Sequence, residues 1–156
     1  MSDRDEVEQR IEHGIRRLIA RAVFVNDGVG RQLGLRPIDV QVLNLLLLAD
    51  TPITAGAVTT MAGLPSSTTT RVLDRLENAG YLRRVPDPED RRRIVLELDR
   101  DRCAEYETRF DALRRANQAR TAHYTRDELE LIARFLGEHI ADPAADGTLR
   151  SGHRDR

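Results

Sequence analysis

Near the start of the chain apolar residues recur at Val7, Ile11, Ile15, Leu18, Ala22, Val25 and Val29, in steps of 4, 4, 3, 4, 3 and 4. This is the spacing of one helix face and predicts an amphipathic helix over about 3–33. A helix that long at the edge of a small protein draws its stability from packing, so it needs a partner helix. Gly34 closes it and Pro37 opens a second, in which Ile38, Val40, Val42, Leu43 and Leu45 to Leu48 are apolar nearly all round, as in a buried central helix. Asp50-Thr51-Pro52 ends that element. Thr54 is placed to cap a short helix over about 55–62, stopped by Gly63. Pro65 then stands in the first turn of a third helix, PSSTTTRVLDRLENAG, with Gly80 as its stop. Val72, Leu73 and Leu76 line one face of it, while Ser66, Ser67, Thr68, Thr69, Thr70 and Arg71 crowd its N-terminal half.

The period changes at Tyr81. YLRRVP and RRIVLELD read as two short strands, with Ile94, Leu96 and Leu98 alternating against Arg93, Val95 and Glu97, and the Pro- and Asp-rich PDPED turns between them. Asp99 can cap a long helix to about His123, with Tyr106, Phe110, Leu113 and Asn117 on one stripe. Thr125 can cap a last one bearing Leu129, Ile132, Leu136 and Ile140. From Asp142 onward there is no periodicity, and the tail is expected to be disordered.

Composition pulls the other way from this arrangement. The 156 residues hold 25 basic and 26 acidic side chains, a net charge of −1, and near balance speaks against a general polyanion binder. All 25 basic residues are arginine, as codon bias in a GC-rich genome would produce. The balance is not uniform. Residues 81–96 carry five arginines against three acids, while residues 1–12 carry five acids against two arginines. A single cysteine, Cys103, excludes an intrachain disulfide framework and a multi-cysteine zinc site. The acidic N-terminus does not read as a signal peptide, and the longest apolar run, Val42 to Ala49, is far too short for a membrane span. Cytoplasmic residence is the expectation.

Helix–turn–helix geometry lays its second helix in the major groove with its N-terminal residues at base edges. Short hydroxyls permit close approach, and a forked cation suits guanine or phosphate, so Ser66, Ser67, Thr68, Thr70 and Arg71, with Arg75 a turn further on, are the candidate groove residues. One or two hydroxyl residues would serve capping; five in a row have poor helix propensity and point to a chosen surface. The hairpin adds Arg91, Arg92 and Arg93, suited to a narrow minor groove. Its tip acids, Asp87, Glu89 and Asp90, must be at least partly paired internally, and Asp90 could hold a neighbouring arginine in its inserting rotamer.

The segment LPSSTTTRVLDRLENAGYLRRVPDPEDRRRIVLELD resembles the winged-helix core of the MarR family of bacterial transcriptional regulators. The helix order extends the likeness from about residue 5 to residue 141. The resemblance implies a mainly α fold, a winged helix–turn–helix with a two-stranded β wing, flanked by long N- and C-terminal dimerisation helices. On that basis 1–34 is the N-terminal dimerisation helix, 35–98 the DNA-binding domain, 99–141 the C-terminal dimerisation helices and 142–156 the tail. It further implies that Asp90-Arg91-Arg92 matches the wing Asp-x-Arg motif, Arg92 inserting and Asp90 orienting it, and that Ser66, Ser67, Thr70 and Arg71 face bases and phosphates. Ile11, Ile15, Leu18, Leu129, Ile132 and Leu136 become the expected dimer interface.

The expected function is a sequence-specific regulator, repressing until a small ligand relieves it, that binds a pseudo-palindromic double-stranded DNA operator as a homodimer. A winged-helix dimer serving as a protein-interaction module without an operator is the alternative. Members of the family also sense peroxide or zinc. The peroxide-sensing branch uses a cysteine on the first helix, whereas Cys103 lies near the start of the fifth. The urate-responsive branch resembles this chain at Asp74 but relies on a Trp that is absent here, and Asp74 is more simply paired with Arg71 or Arg75 along its helix. The four histidines form no i, i+4 pair, so no metal site is expected; no cofactor and no membrane partner are expected either. No Gly-rich phosphate loop or Ser–His pairing suggests catalysis, and the chain is not expected to be an enzyme.

Overall fold

The structure, a computed structural model, describes residues 2–49, 51 and 53–141, with side chains to Glu138. The expected tail, Ile140 as a stripe residue, and Asp50 and Pro52 as helix breakers all fall outside what it describes. The chain divides into two units, one to Glu105 and one from Tyr106.

The first unit opens with α1 (Asp3–Leu33). Ser2 caps it through a reciprocal pair of bonds with Asp5, and three acids in its first turn favour the positive helix end. Only Val29 and Gly30 of its 31 residues are buried. At Gly30 the backbone of the following turn comes so close that a Cβ would lie 2.7 Å from the Leu35 carbonyl oxygen. α2 (Pro37–Leu47) starts on Pro37 as expected and buries Val40, Val42, Leu43 and Leu46. α3 (Ala55–Ala62) is capped by Thr54, whose hydroxyl accepts from Ala57 N–H at 3.2 Å, and stops at Gly63. α4 (Ser66–Asn78) follows, with Pro65 as its N-cap rather than inside its first turn. Its end is a Schellman motif: Gly80 N–H bonds to the Glu77 carbonyl, Tyr81 N–H bonds to the Leu76 carbonyl, and Gly80 sits at φ +78°.

β1 (Leu82–Pro86) and β2 (Ile94–Leu98) pair antiparallel, Arg83 opposite Glu97 and Val85 opposite Val95. The expected alternation in β2 fails. Val95 and Leu96 are both buried, whereas Ile94 is exposed beside the hairpin tip. Leu96 N–H also donates to the Ile53 carbonyl at 2.8 Å, so a bridge from the loop before α3 flanks β2 on its second edge. The core joins α2, α3, α4 and the wing through Leu43, Val58, Val72, Leu73, Leu76, Tyr81 and Leu82.

α5 (Arg100–Glu107) is capped by Asp99, which accepts from Arg102 N–H at 2.8 Å. The single long helix expected to His123 is interrupted by a 3₁₀ turn over Thr108–Phe110 before α6 (Asp111–Thr121). In the second unit the Phe110 ring lies tilted on Tyr106, centroids 5.2 Å apart. α7 (Arg126–Ala141) begins at Thr125, which exchanges bonds with Glu128: Thr125 N–H donates to the carboxylate at 2.7 Å, and Glu128 N–H donates to the Thr125 hydroxyl at 3.3 Å. Among the described residues no helix is long and apolar enough to cross a membrane.

Candidate nucleic-acid interface

α4 has two chemically distinct faces. Thr69, Val72, Leu73 and Leu76 are buried, and Ser66, Ser67, Thr70, Arg71 and Asp74 are exposed at helical spacing. The hydroxyl run is therefore split. Thr69, 1% exposed, turns inward and donates to the Pro65 carbonyl at 3.3 Å, while Thr68 is half-buried. Thr70 donates to the Ser66 carbonyl at 2.9 Å. These bonds back along the helix satisfy hydroxyls that otherwise compete with helical structure. No side chain caps the start of α4, and Ser66 and Ser67 stand exposed on its first turn.

The arginines sort by what they touch. Arg75 turns inward to Asp39 of α2: Nε reaches the two carboxylate oxygens at 3.1 and 3.0 Å, and Nη2 also donates to Oδ1. Hydrogen bonding to Asp39 raises the Arg75 pKa, against the opposing effect of burial. The expectation of a groove contact from Arg75 thus meets a guanidinium already engaged inside the fold. Asp74 does not pair along its own helix, with Arg71 or Arg75, as the spacing suggested. Its partner is Arg84 of β1, at 2.8 Å. Arg84 also pairs with Glu77, which accepts the Arg84 backbone N–H at 3.1 Å. Arg83 pairs across the hairpin with Glu97 at 2.9 Å; their hydrogen bond raises the arginine pKa and holds the Glu97 carboxyl below the usual range.

At the wing tip, Asp87 accepts from Glu89 N–H at 2.9 Å and lies 3.8 Å from the Arg93 guanidinium. Asp90 accepts from the Arg92 backbone N–H at 3.0 Å. Asp90 therefore shapes the turn through the backbone of Arg92 and does not hold its guanidinium. Two of the three tip acids, Asp87 and Asp90, are thus used internally, while among the described residues no hydrogen bond or ion pair engages the Glu89 carboxylate. Among the described residues, no hydrogen bond or ion pair engages the side chains of Arg71, Arg91 or Arg92, which are exposed. On α4 and the wing, one hydroxyl-bearing helix start and, among the described residues, three uncommitted guanidinia remain.

Sequence reasoning missed Asp39 and Arg84. Asp39 lies 36 residues from Arg75, and no local spacing signals that pair. A lone Asp in an otherwise apolar helix start was the one available clue. Cys103 is 5% exposed, its sulfur 3.7 Å from the Tyr81 carbonyl oxygen, and the Arg102 guanidinium covers the Tyr81 ring at 5.2 Å. A thiol so enclosed lacks the accessibility a redox sensor needs. Among the described residues no cluster of three or more His, Cys, Asp or Glu side chains is arranged to hold a metal.

The expected dimer residues are Ile11 (42% exposed), Leu18 (63%), Ile132 (38%) and Leu136 (45%), with Ile15 and Leu129 half-buried. α1 also exposes Ile19, Val23 and Phe24, which the heptad-like stripe did not include.

The model of the MarR family matches residues 33–93, which span α2 to the wing tip. The helix–turn–helix transcriptional regulator YcgE of Bacillus subtilis is 34% identical over 137 residues, covering 88% of this chain and 88% of its own. A transcriptional regulator from Thermotoga maritima superposes with a TM-score of 0.59 at 26% identity, over 83% of this chain and 91% of its own. A MarR family protein from Bacillus stearothermophilus shares the fold with a TM-score of 0.63 at 22% identity, over 88% and 94%.

Proposed function

The chain belongs to the MarR family of DNA-binding transcriptional regulators, and from that premise we propose that it reads a pseudo-palindromic operator as a homodimer. In this reading α4 enters the major groove with Ser66, Ser67, Thr68, Thr70 and Arg71 toward bases and phosphates. Arg92, with Arg91 and Arg93 beside it, approaches the minor groove. The observation that carries the reading is the contrast in commitment: Arg75, Arg83 and Arg84 are each paired with an acid of the same chain, while among the described residues Arg71, Arg91 and Arg92 have no such partner. A solvated charged surface without function would have no reason to neutralise Asp74 on the exposed face of α4 and leave these three free.

A second copy is the fitting cover for α1 and α7, each of which exposes a run of large apolar side chains. A two-fold dimer presents its α4 helices to successive major grooves, about 34–36 Å apart. Such a dimer over a promoter excludes polymerase, so repression is the default outcome, relieved by a small-molecule effector.

Selection of duplexes from a random pool by the full chain tests the reading, followed by a salt titration on the winner. A two-fold symmetric sequence should emerge, and its affinity should fall steeply with salt as phosphate contacts release counterions. Failure to enrich any sequence, with no salt-dependent retention of DNA, would favour the protein-interaction alternative and overturn the proposal.

A further inference from the structure

We propose that Asp39 is a positioning residue for DNA reading, which sets the orientation of α4 by holding Arg75; the inference rests on the reading of α4 as the groove-entering helix.

Asp39 is 1% exposed, in the first turn of α2. Its carboxylate has two tasks. Oδ2 accepts the Arg36 backbone N–H at 3.0 Å, closing the start of α2, and both oxygens accept from Arg75. No buried side-chain nitrogen or oxygen is left without a partner among the described residues. Burying a carboxylate against a guanidinium is rarely a net gain over an apolar pair of similar volume, so stability alone is a weak reason for it. What a multiply bonded pair supplies, and an apolar contact does not, is a defined geometry.

The placement of the pair makes that geometry matter. Arg75 lies in the second half of α4, and its neighbour Asp74 is held by Arg84 of the wing. Two adjacent residues thus tie the C-terminal half of α4 to α2 on one side and to β1 on the other. Among the described residues the N-terminal half has no ion pair of this kind. It carries Ser66, Ser67, Thr70 and Arg71 outward, and its Pro65 cap offers no side-chain bond. From Ser66 to the anchored Asp74 the helix spans about 13 Å at 1.5 Å per residue. A tilt of about 5° at the anchored end would therefore move the first turn by roughly 1 Å. Hydrogen bonds to base edges do not survive such a shift, because their distances lie within about 0.5 Å. The attraction to phosphates, which is longer in range and sequence-independent, does survive it. Loss of the Asp39 anchor should therefore cost discrimination and spare general DNA affinity.

The test uses the full chain, the duplex selected by the wild type and a scrambled duplex of equal length, with affinities measured by fluorescence anisotropy. Asp39→Asn keeps an acceptor for the Arg36 amide and removes the charge that holds Arg75. Arg75→Lys keeps a cation and removes the planar fork. Each substitution should weaken binding to the selected duplex by about tenfold, the scale of a misread base pair. Affinity for the scrambled duplex should stay within about twofold, with an unchanged salt slope. If Arg75 instead contacted DNA directly, Asp39→Asn would free it, and operator affinity would hold or rise; that result overturns the proposal. Equal loss on both duplexes overturns it too. Circular dichroism identifies a variant that has lost its fold. Should Asp39→Asn be one, Arg75→Lys decides by the same criterion, and if both unfold the pair is a stability element and the proposal is wrong. A wild-type chain that selects no duplex would show instead that the DNA-reading conclusion has failed.

Discussion

Replacing Arg92 by alanine removes a guanidinium that holds nothing inside the fold among the described residues, so the folded state should be indifferent to the change while operator binding weakens. An unchanged thermal midpoint with reduced affinity is the expected pair of results, and unchanged affinity would remove the wing from the interface. Arg71→Ala separates two kinds of contact. If Arg71 reads a base, the loss should be roughly 1–3 kcal/mol and confined to the operator; if it touches phosphate, the loss should be uniform across sequences, with a shallower salt slope. The core responds in the opposite sense. Leu73 is fully buried, so Leu73→Ala should cost about 2–5 kcal/mol in a denaturant titration. Gly30→Ala should also destabilise, since the new methyl meets a carbonyl oxygen of the backbone, which cannot swing aside as a side-chain end could. At this scale the chain's local chemistry was legible and its long-range pairings were not. Thr54, Asp99 and Thr125 act as caps because a cap needs only its next three residues. The bonds of Asp39 to Arg75 and of Arg84 to Asp74 depend on how elements meet, which no spacing within one element encodes.

Elements begin and end where Gly, Pro and the capping residues stand, so α1 to α4 and α7 lie close to their expected bounds. The interruption at Thr108–Phe110 was invisible because neither Gly nor Pro marks it. The facing of β2 was misjudged for a different reason. Alternation assumes one buried face, whereas Val95 and Leu96, successive residues that point to opposite faces, are both buried, so β2 is covered on two faces at this point. The start of α7 carries a pH dependence with a definite sign. Hydrogen bonds from the Thr125 backbone amide and then its hydroxyl hold the Glu128 carboxyl below its ordinary range in the folded state. The stabilisation is therefore present above the unfolded value, about pH 4.3, and is lost as the pH falls through the lower folded value. Acid titration followed by NMR should show the Thr125 amide signal shifting in that window. Glu128→Gln should abolish the shift there while leaving the wing unaffected.

For the whole molecule, polar substitution of the exposed stripes tests assembly. Ile11→Glu or Ile132→Glu should convert the proposed dimer to monomer in a sedimentation experiment and weaken operator binding in parallel; a sedimentation coefficient unchanged from the wild type would exclude these faces from the interface. The net charge of −1 gave no hint of DNA, because a sum over the chain hides where charges cancel. Acids gather at the N-terminus and arginines at the wing, and internal pairing then removes Arg75, Arg83 and Arg84 from the free cations. That sorting of guanidinia has a chemical consequence. With arginine as the sole basic residue besides histidine, amine-directed acylation finds no lysine to modify, and the positive charge proposed to face DNA does not titrate away in alkaline solution. A dicarbonyl reagent specific for guanidinium should instead label Arg71, Arg91 and Arg92 rapidly, and Arg75 and Arg84 slowly. Bound operator should slow the first group alone, so that a single labelling time course separates the arginines that build the fold from those that meet the groove.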